Sequence, residues 1–146
     1  MDKDFEASWT RNFKTAEEAV SASIAEAAGK VIKSTVDRTP VGRPSLWKSK
    51  VSSQYKPGAL RRSWEANFGH GFHNVSNGSD YDGKVSANAA MRAYTFDYDI
   101  IVRNQLEYAQ AVEYGWSRNQ APQGMLRISM SEFQKFFKET LKKNRV

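Results

Sequence analysis

Apolar side chains fall at Phe5, Trp9, Phe13, Ala16, Val20, Ile24, Ala27, Val31 and Thr35, the three-or-four spacing of one helix face. The pattern predicts an amphipathic helix running to about Arg38. Thr39-Pro40 ends it, because proline disfavours helical backbone in the residue before it. Such a helix has about nine turns, more than a small core needs, so one of its ends is expected to project toward a partner.

A chain of 146 residues fits a single domain, residues 1–146, with a real core but no room for two. At 40% hydrophobic and 26% charged it reads as globular rather than disordered. It has no cysteine, so disulfides and thiolate metal sites are excluded, and a reducing compartment is compatible. No window approaches the roughly 18 apolar residues of a membrane span. The start, MDKDFEASW, is acidic and amphipathic, unlike a signal peptide. The expected location is a cytoplasm, without membrane contact.

After the helix comes VGRPSLWKSKVSSQYKPG, which has neither helical nor strand period. It predicts a long exposed loop over about 42–58, a length usually tied to function or disorder, in which Trp47 needs a partner. Strict alternation follows, with Leu60, Arg62, Trp64, Ala66 and Phe68 on one face, predicting a half-buried strand. Glycines then punctuate a turn-rich region with room for a short strand around Phe72 to Val75. Alternation returns from Tyr94 to Val102, predicting another strand. Residues 107–114 suit two helical turns closed by Gly115. Pro122 suits the first turn of a final helix with Leu126, Met130, Phe133, Phe137 and Leu141 on one stripe. The expected fold is α+β, a long N-terminal helix and a C-terminal helix packed on a small antiparallel sheet.

Chemistry is sparse. His70 and His73 are the only histidines, and two neutral ligands without a thiolate or carboxylate pair make a poor metal site. Ser117 follows Gly-Trp rather than a strand-turn-helix elbow, and no phosphate-binding or dinucleotide loop is present. Asp97 and Asp99, on one face of a strand, would stand about 7 Å apart, compatible in distance with paired acid and base. An amphipathic strand has such a solvent face in any case. The expectation is a non-enzyme without cofactor or metal. A net charge of +6 and a pI of about 9.6 raise nucleic-acid binding, but no sustained basic helix or recognition motif accompanies them.

Two segments carry more specific information. TPVGRPSLWKS…YKPGALRRSW, from Thr39 to Trp64, and NQLEYAQAVEYGWSRNQAPQGMLRISMSEF, from Asn104 to Phe133, together resemble the tail-completion (neck) protein family of tailed bacteriophages, also described as minor tail proteins. In that family a long helix leads to Thr-Pro-Val, then Gly-Xaa-Leu-Arg. An Asn, a Tyr-Ala pair and Glu-(Tyr/Phe)-Gly follow before a C-terminal helix. The matching positions are Thr39-Pro40-Val41, Gly58-Ala59-Leu60-Arg61, Asn104, Tyr108-Ala109 and Glu113-Tyr114-Gly115. Many members join the first two elements directly, whereas Arg43 to Pro57 separate them here. A longer-loop subgroup shares the Leu46-Trp47-Lys48 and Tyr55-Xaa-Xaa-Gly58 pieces.

The resemblance implies a structural virion protein forming a hexameric or dodecameric ring where the DNA-filled head meets the tail. Its partners would be copies of itself, neighbouring connector, adaptor and tail-terminator or tail-tube proteins, and DNA passing through the lumen. Ring contacts join two different surfaces of one subunit, and Tyr and Trp suit them by combining large area with a polar tip. The candidate interface residues are therefore Trp47, Lys48, Tyr108, Glu113, Tyr114, Trp116, Arg118, Asn119 and Gln120. Tyr108 is equally readable as core, and Glu113 as a local cap. Lys48, Lys50, Lys56, Arg61 and Arg62 are candidates for a lumen surface with weak, sequence-independent phosphate attraction. The alternatives are a head-side connector adaptor or tail terminator and, from another class, a small non-specific DNA-binding protein with Trp47 and Tyr55 as stacking groups.

Overall fold

The computed structural model describes residues 2–42, 56–76 and 90–144. Helix α1 (Lys3–Arg38) is capped by Asp2, whose carboxylate accepts from the Asp4 amide at 3.2 Å. Asp4 and Glu6 occupy the first turn, where the helix dipole favours negative charge. Thr39 then leaves the helix with extended backbone, as a residue before proline does.

The two halves of α1 sit in different surroundings. From Ser21 onward the helix buries Ser23, Ala25, Ala27, Ala28, Val31, Ile32 and Thr35. The first half projects, leaving Phe5, Trp9 and Phe13 at 58%, 64% and 59% exposure. One long stripe is thus half core and half open surface.

Three antiparallel strands lie in the order β2-β1-β3: β1 (Trp64–Asn67), β2 (Phe72–Asn74) and β3 (Ile101–Asn104). In the register Glu65 stands opposite Asn74 on one side and Arg103 on the other. Alternation turns Trp64, Ala66 and then Phe68 inward, where Ala28 and Ile32 of α1 meet Ala66 and Phe68 in a cluster closed by Ala90 and Tyr94. The outer face carries the Glu65–Arg103 pair at 2.8 Å, with the Arg103 guanidinium 3.5 Å from the Phe72 ring centre. The architecture is α+β, as the sequence predicts.

Two short helices, α2 (Ala59–Arg62) and α3 (Ala109–Glu113), flank the strands, and the C-terminal segment forms α4 (Leu126–Met130) and α5 (Phe133–Lys143). Helix α5 runs antiparallel along α1, because Arg38 pairs with Glu132, Lys30 with Glu139 and Glu26 with Lys143. Thr140 donates to the Ser23 carbonyl at 3.0 Å, a close approach that the small residues of α1 permit. Exposed ion pairs of this kind contribute only about 0–1 kcal/mol each, so they set the alignment while apolar burial carries the stability.

Three expectations need correction. The strand predicted from Leu60 to Phe68 is divided: Gly58 takes a left-handed conformation and opens a helical turn, α2 (Ala59–Arg62), before β1. Leu60 and Trp64, four apart, lie together on one face of a turn as readily as of a strand, and both are buried in one cluster; Arg62 of the same predicted face is exposed. The strand predicted from Tyr94 to Val102 begins only at Ile101, since β1 offers four residues to pair with. A turn closed by the Tyr98 amide on the Thr95 carbonyl, at 3.2 Å, leaves Phe96 and Tyr98 about half exposed. The single final helix predicted from near Pro122 begins only at Leu126 and is divided into α4 and α5 at residues 131–132, where the Glu132 amide bonds the Ser129 carbonyl three residues back.

Where α1 ends, Thr39 is fully buried. Its carbonyl accepts from Arg61 Nε and Nη2 at 3.0 and 2.8 Å, and its hydroxyl accepts from Trp64 Nε1 at 2.8 Å while donating to the Thr35 carbonyl at 2.7 Å. Replacing Thr39→Val leaves the buried indole N–H without an acceptor. The expected cost is about 1–3 kcal/mol, read as a lowered midpoint in urea with unchanged slope.

Candidate interaction surface

The motif residues converge on one junction. Asn104, closing β3, donates from its amide to the Leu60 carbonyl at 2.8 Å and accepts the Leu106 amide at 3.2 Å. Leu60, Trp64 and Ala109 pack with Ala121 and Met125. Helix α3 (Ala109–Glu113) leaves this cluster and stops at Gly115, whose φ is 94°. The amides of Gly115 and Trp116 return to the carbonyls of Val112 and Ala111, both at 3.1 Å, satisfying the helix end as the sequence predicts.

Between α3 and α4 the chain makes an excursion that Glu113 closes. Its Oε2 accepts the Met125 and Leu126 amides and its Oε1 the Arg127 amide, all at 2.9 Å. Arg127 completes the clasp through Nε to Oε1 at 3.2 Å and Nη2 to the Glu113 carbonyl at 2.8 Å. Gly124, at φ 88°, lies in the closure, and a Cβ there would stand 2.4 Å from the Glu113 carbonyl oxygen. Burial opposes ionisation of this carboxyl, but the Arg127, Leu126 and Met125 amides and the Arg127 side chain outweigh it, holding its pKa below the ordinary 4.5.

The clasp fixes what the excursion displays. Trp116 is 83% exposed and Tyr114 65%, and Arg118, Asn119 and Gln120 are exposed beside them. The Arg127 guanidinium lies 4.4 Å from the Tyr114 ring centre, limiting that ring's rotamers. Tyr114, Arg127 and Met130 edge a groove of about 260 Å³ floored by Trp64, Ala109 and Met125. This is a preformed aromatic and amide surface, suited to a macromolecular contact rather than to enclosing a small substrate.

Other sequence candidates have different places. Glu113 is a clasp whose side chain is only 14% exposed. Tyr108 is at the margin of exposure. Arg61 is held on the Thr39 carbonyl, while Lys56 and Arg62 are exposed. Trp47, Lys48 and Lys50, with most of the 42–58 loop, lie outside the described residues.

His70 reaches the Ala93 carbonyl at 3.4 Å and packs on Tyr98, while His73 sits in β2 opposite Ala66. Among the described residues no group of three His, Cys, Asp or Glu is placed to hold a metal. Asp97 and Asp99 are exposed outside any strand; after burial, their charges help push the Tyr94 phenol above its ordinary 10.0. Sequence reasoning expected one end of α1 to project but did not place Phe5, Trp9 and Phe13 on the surface, and it missed the exposure of Met130. The signal for the first was present: Phe5, Trp9 and Phe13 give way to alanine and serine where a neighbour packs closely.

Comparison with known proteins gives no match to a family model, to a curated protein or to a solved structure.

Because the folded pKa of Glu113 is depressed, the stability it contributes is complete above about 4.5 and is lost as pH falls through the folded value. Glu113→Gln is expected to lower the thermal midpoint at pH 7 and to flatten its decline below pH 4.5. Thermal unfolding across a pH series compares the two proteins.

Proposed function

We propose that this chain is a structural, non-enzymatic subunit of a ring at the head–tail junction of a tailed bacteriophage, completing the neck or tail so that DNA-filled heads join tails. It would assemble in the host cytoplasm and remain in the virion. The observation that carries the reading is two different aromatic surfaces on one subunit, far apart. Phe5, Trp9 and Phe13 project on α1, and Tyr114 and Trp116 stand on the clasped excursion. Val36 packs against the cluster beneath that excursion, and residue 5 lies roughly 45 Å away along α1 at about 1.5 Å per residue. Heterologous ring contacts need such a pair of unlike surfaces on every copy. The resemblance of Thr39-Pro40-Val41, Gly58 to Arg61, Asn104, Tyr108-Ala109 and Glu113 to Gly115 to tail-completion proteins supports a neck ring in particular.

A head-side adaptor or a tail terminator would use the same two surfaces at a neighbouring level of the junction. Of the lumen candidates, Arg61 is engaged with Thr39, while Lys56, Arg62 and the α5 lysines would supply a weak phosphate attraction as part of the ring reading; Trp47 and Tyr55, the stacking groups of the DNA-binding alternative, lie outside the described residues.

Electron microscopy of lysates from a phage carrying a stop codon in this gene tests the proposal. Full heads and finished tails lying unjoined are expected; joined particles would sink it. Trp116→Ala should leave folding stability within about 0.5 kcal/mol of the parent, as for an exposed side chain without buried partners. It should also lower the yield of joined particles at least tenfold, since interface tryptophans often contribute about 2 kcal/mol or more.

A further inference from the structure

We infer that the outer face of α5 is a contact surface for the phosphate backbone of double-stranded DNA, made by Lys135, Lys138 and Lys142. The inference deepens the ring reading and rests on it for its setting, a lumen that DNA crosses; the contact itself is argued from the charges of this chain. At about 100° per residue the three lysines fall within about 60° of one another around the helix and span about 10 Å along it. All three are exposed.

Helix α5 sorts its charges by side. Glu132 and Glu139 pair with Arg38 and Lys30 of α1, and Lys143 pairs with Glu26. Both carboxylates of the helix and its cap are thereby spent on α1. Among the described residues Lys135, Lys138 and Lys142 have no ion-pair partner. The fold itself gains little from the stripe. Lys135 stands in the first turn of α5, where the helix dipole disfavours a cation. Lys138 and Lys142, four apart, are like charges on neighbouring turns and repel each other. Only Lys142, in the last turn, is favoured by the dipole. An anionic partner relieves both penalties.

The make-up of the stripe selects that partner. Protein contacts have aromatic and apolar centres and are depleted in lysine, whereas Phe133, Phe136, Phe137 and Leu141 of α5 are partly buried. Single-stranded nucleic acid is held through aromatic side chains on which bases stack, and none of the exposed aromatic side chains is on α5. Duplex DNA presents one negative charge per about 1.7 Å of its axis, so a stripe of about 10 Å meets roughly six. Three flexible ammonium groups suit such a partner at any register, which makes the contact weak and independent of sequence.

The test is fluorescence anisotropy of a short labelled duplex of mixed sequence, titrated with the purified full chain at about 50 to 200 mM salt. Lys135→Gln/Lys138→Gln/Lys142→Gln is compared with Lys3→Gln/Arg11→Gln/Lys14→Gln, which removes the same charge from the exposed start of α1, where Asp2, Asp4 and Glu6 are interspersed. The parent is expected to bind with a Kd of about 1–100 µM near physiological salt. The α5 variant should bind at least tenfold more weakly at about 50 mM salt, with a salt slope smaller by about 3. Its thermal midpoint should hold or rise, since like-charge neighbours are removed. Equal losses in the two variants, a parent that does not bind at about 50 mM salt, or single-stranded DNA or polyglutamate bound as tightly as the duplex would each overturn the inference. A loss confined to the α5 variant, together with joined particles from the stop-codon phage, would keep this contact and remove the junction reading; equal losses with unjoined particles would do the reverse.

Discussion

Thr39 is where the three parts of the molecule are tied together. Its carbonyl, freed because α1 stops before Pro40, takes both donors of Arg61 from α2, and its hydroxyl takes the indole N–H of Trp64 from β1. The exit of the long helix therefore fixes the entry of the sheet. From Trp64 the constraint passes through one apolar cluster to Ala109, Ala121 and Met125, and from Ala109 along α3 to Glu113 and its clasp. Without an acceptor at Thr39, a buried indole N–H and a half-buried guanidinium would both lack partners, a cost comparable with a large share of a small domain's stability.

The projecting half of α1 has a different origin. A free peptide of that length is marginally helical at best, because nucleation is unfavourable. Here nucleation is already met by the buried half, so each further residue adds a hydrogen bond to an existing helix. The Asp2 cap and the acidic first turn hold the far end. Packing against α5 and the sheet thus supports an arm that touches neither, and the exposed aromatic face is available without a core beneath it. Such a face has an apolar surface that a monomer does not need.

Legibility in the sequence followed the range of the interactions. The long helix, its stop at Thr39-Pro40, the inward Trp64, Ala66 and Phe68, the short strand near Phe72 and the Gly115 stop all depend on neighbours within a few residues, and all are readable. The helical turn at Ala59–Arg62 was not, because the spacing of Leu60 and Trp64 fits either period and tertiary contact with Thr39 selects one. The strand beginning at Ile101 rather than Tyr94 depends on the length of β1, a partner distant in the chain. At the candidate site, Tyr114, Trp116 and Arg118 to Gln120 were legible as surface from composition. That Glu113 gathers three amides from residues 125–127 was not, since nothing local marks a carboxylate as the clasp of a loop closing twelve residues later.

The residues of the junction and of the surface divide by what they touch. Thr39, Leu60, Arg61, Asn104, Ala109, Glu113 and Gly115 are framework residues: they end helices, satisfy buried carbonyls or close the excursion. The side chains of Trp116, Arg118, Asn119 and Gln120, along with those of Phe5, Trp9 and Phe13, are exposed among the described residues. On the ring reading proposed above, such a framework would present the excursion in a fixed way and leave the chemistry presented free to differ. Partner choice then lies in side chains whose replacement costs the fold little, so contact and stability are separable by mutation in this chain, whereas in the Thr39 junction they are not.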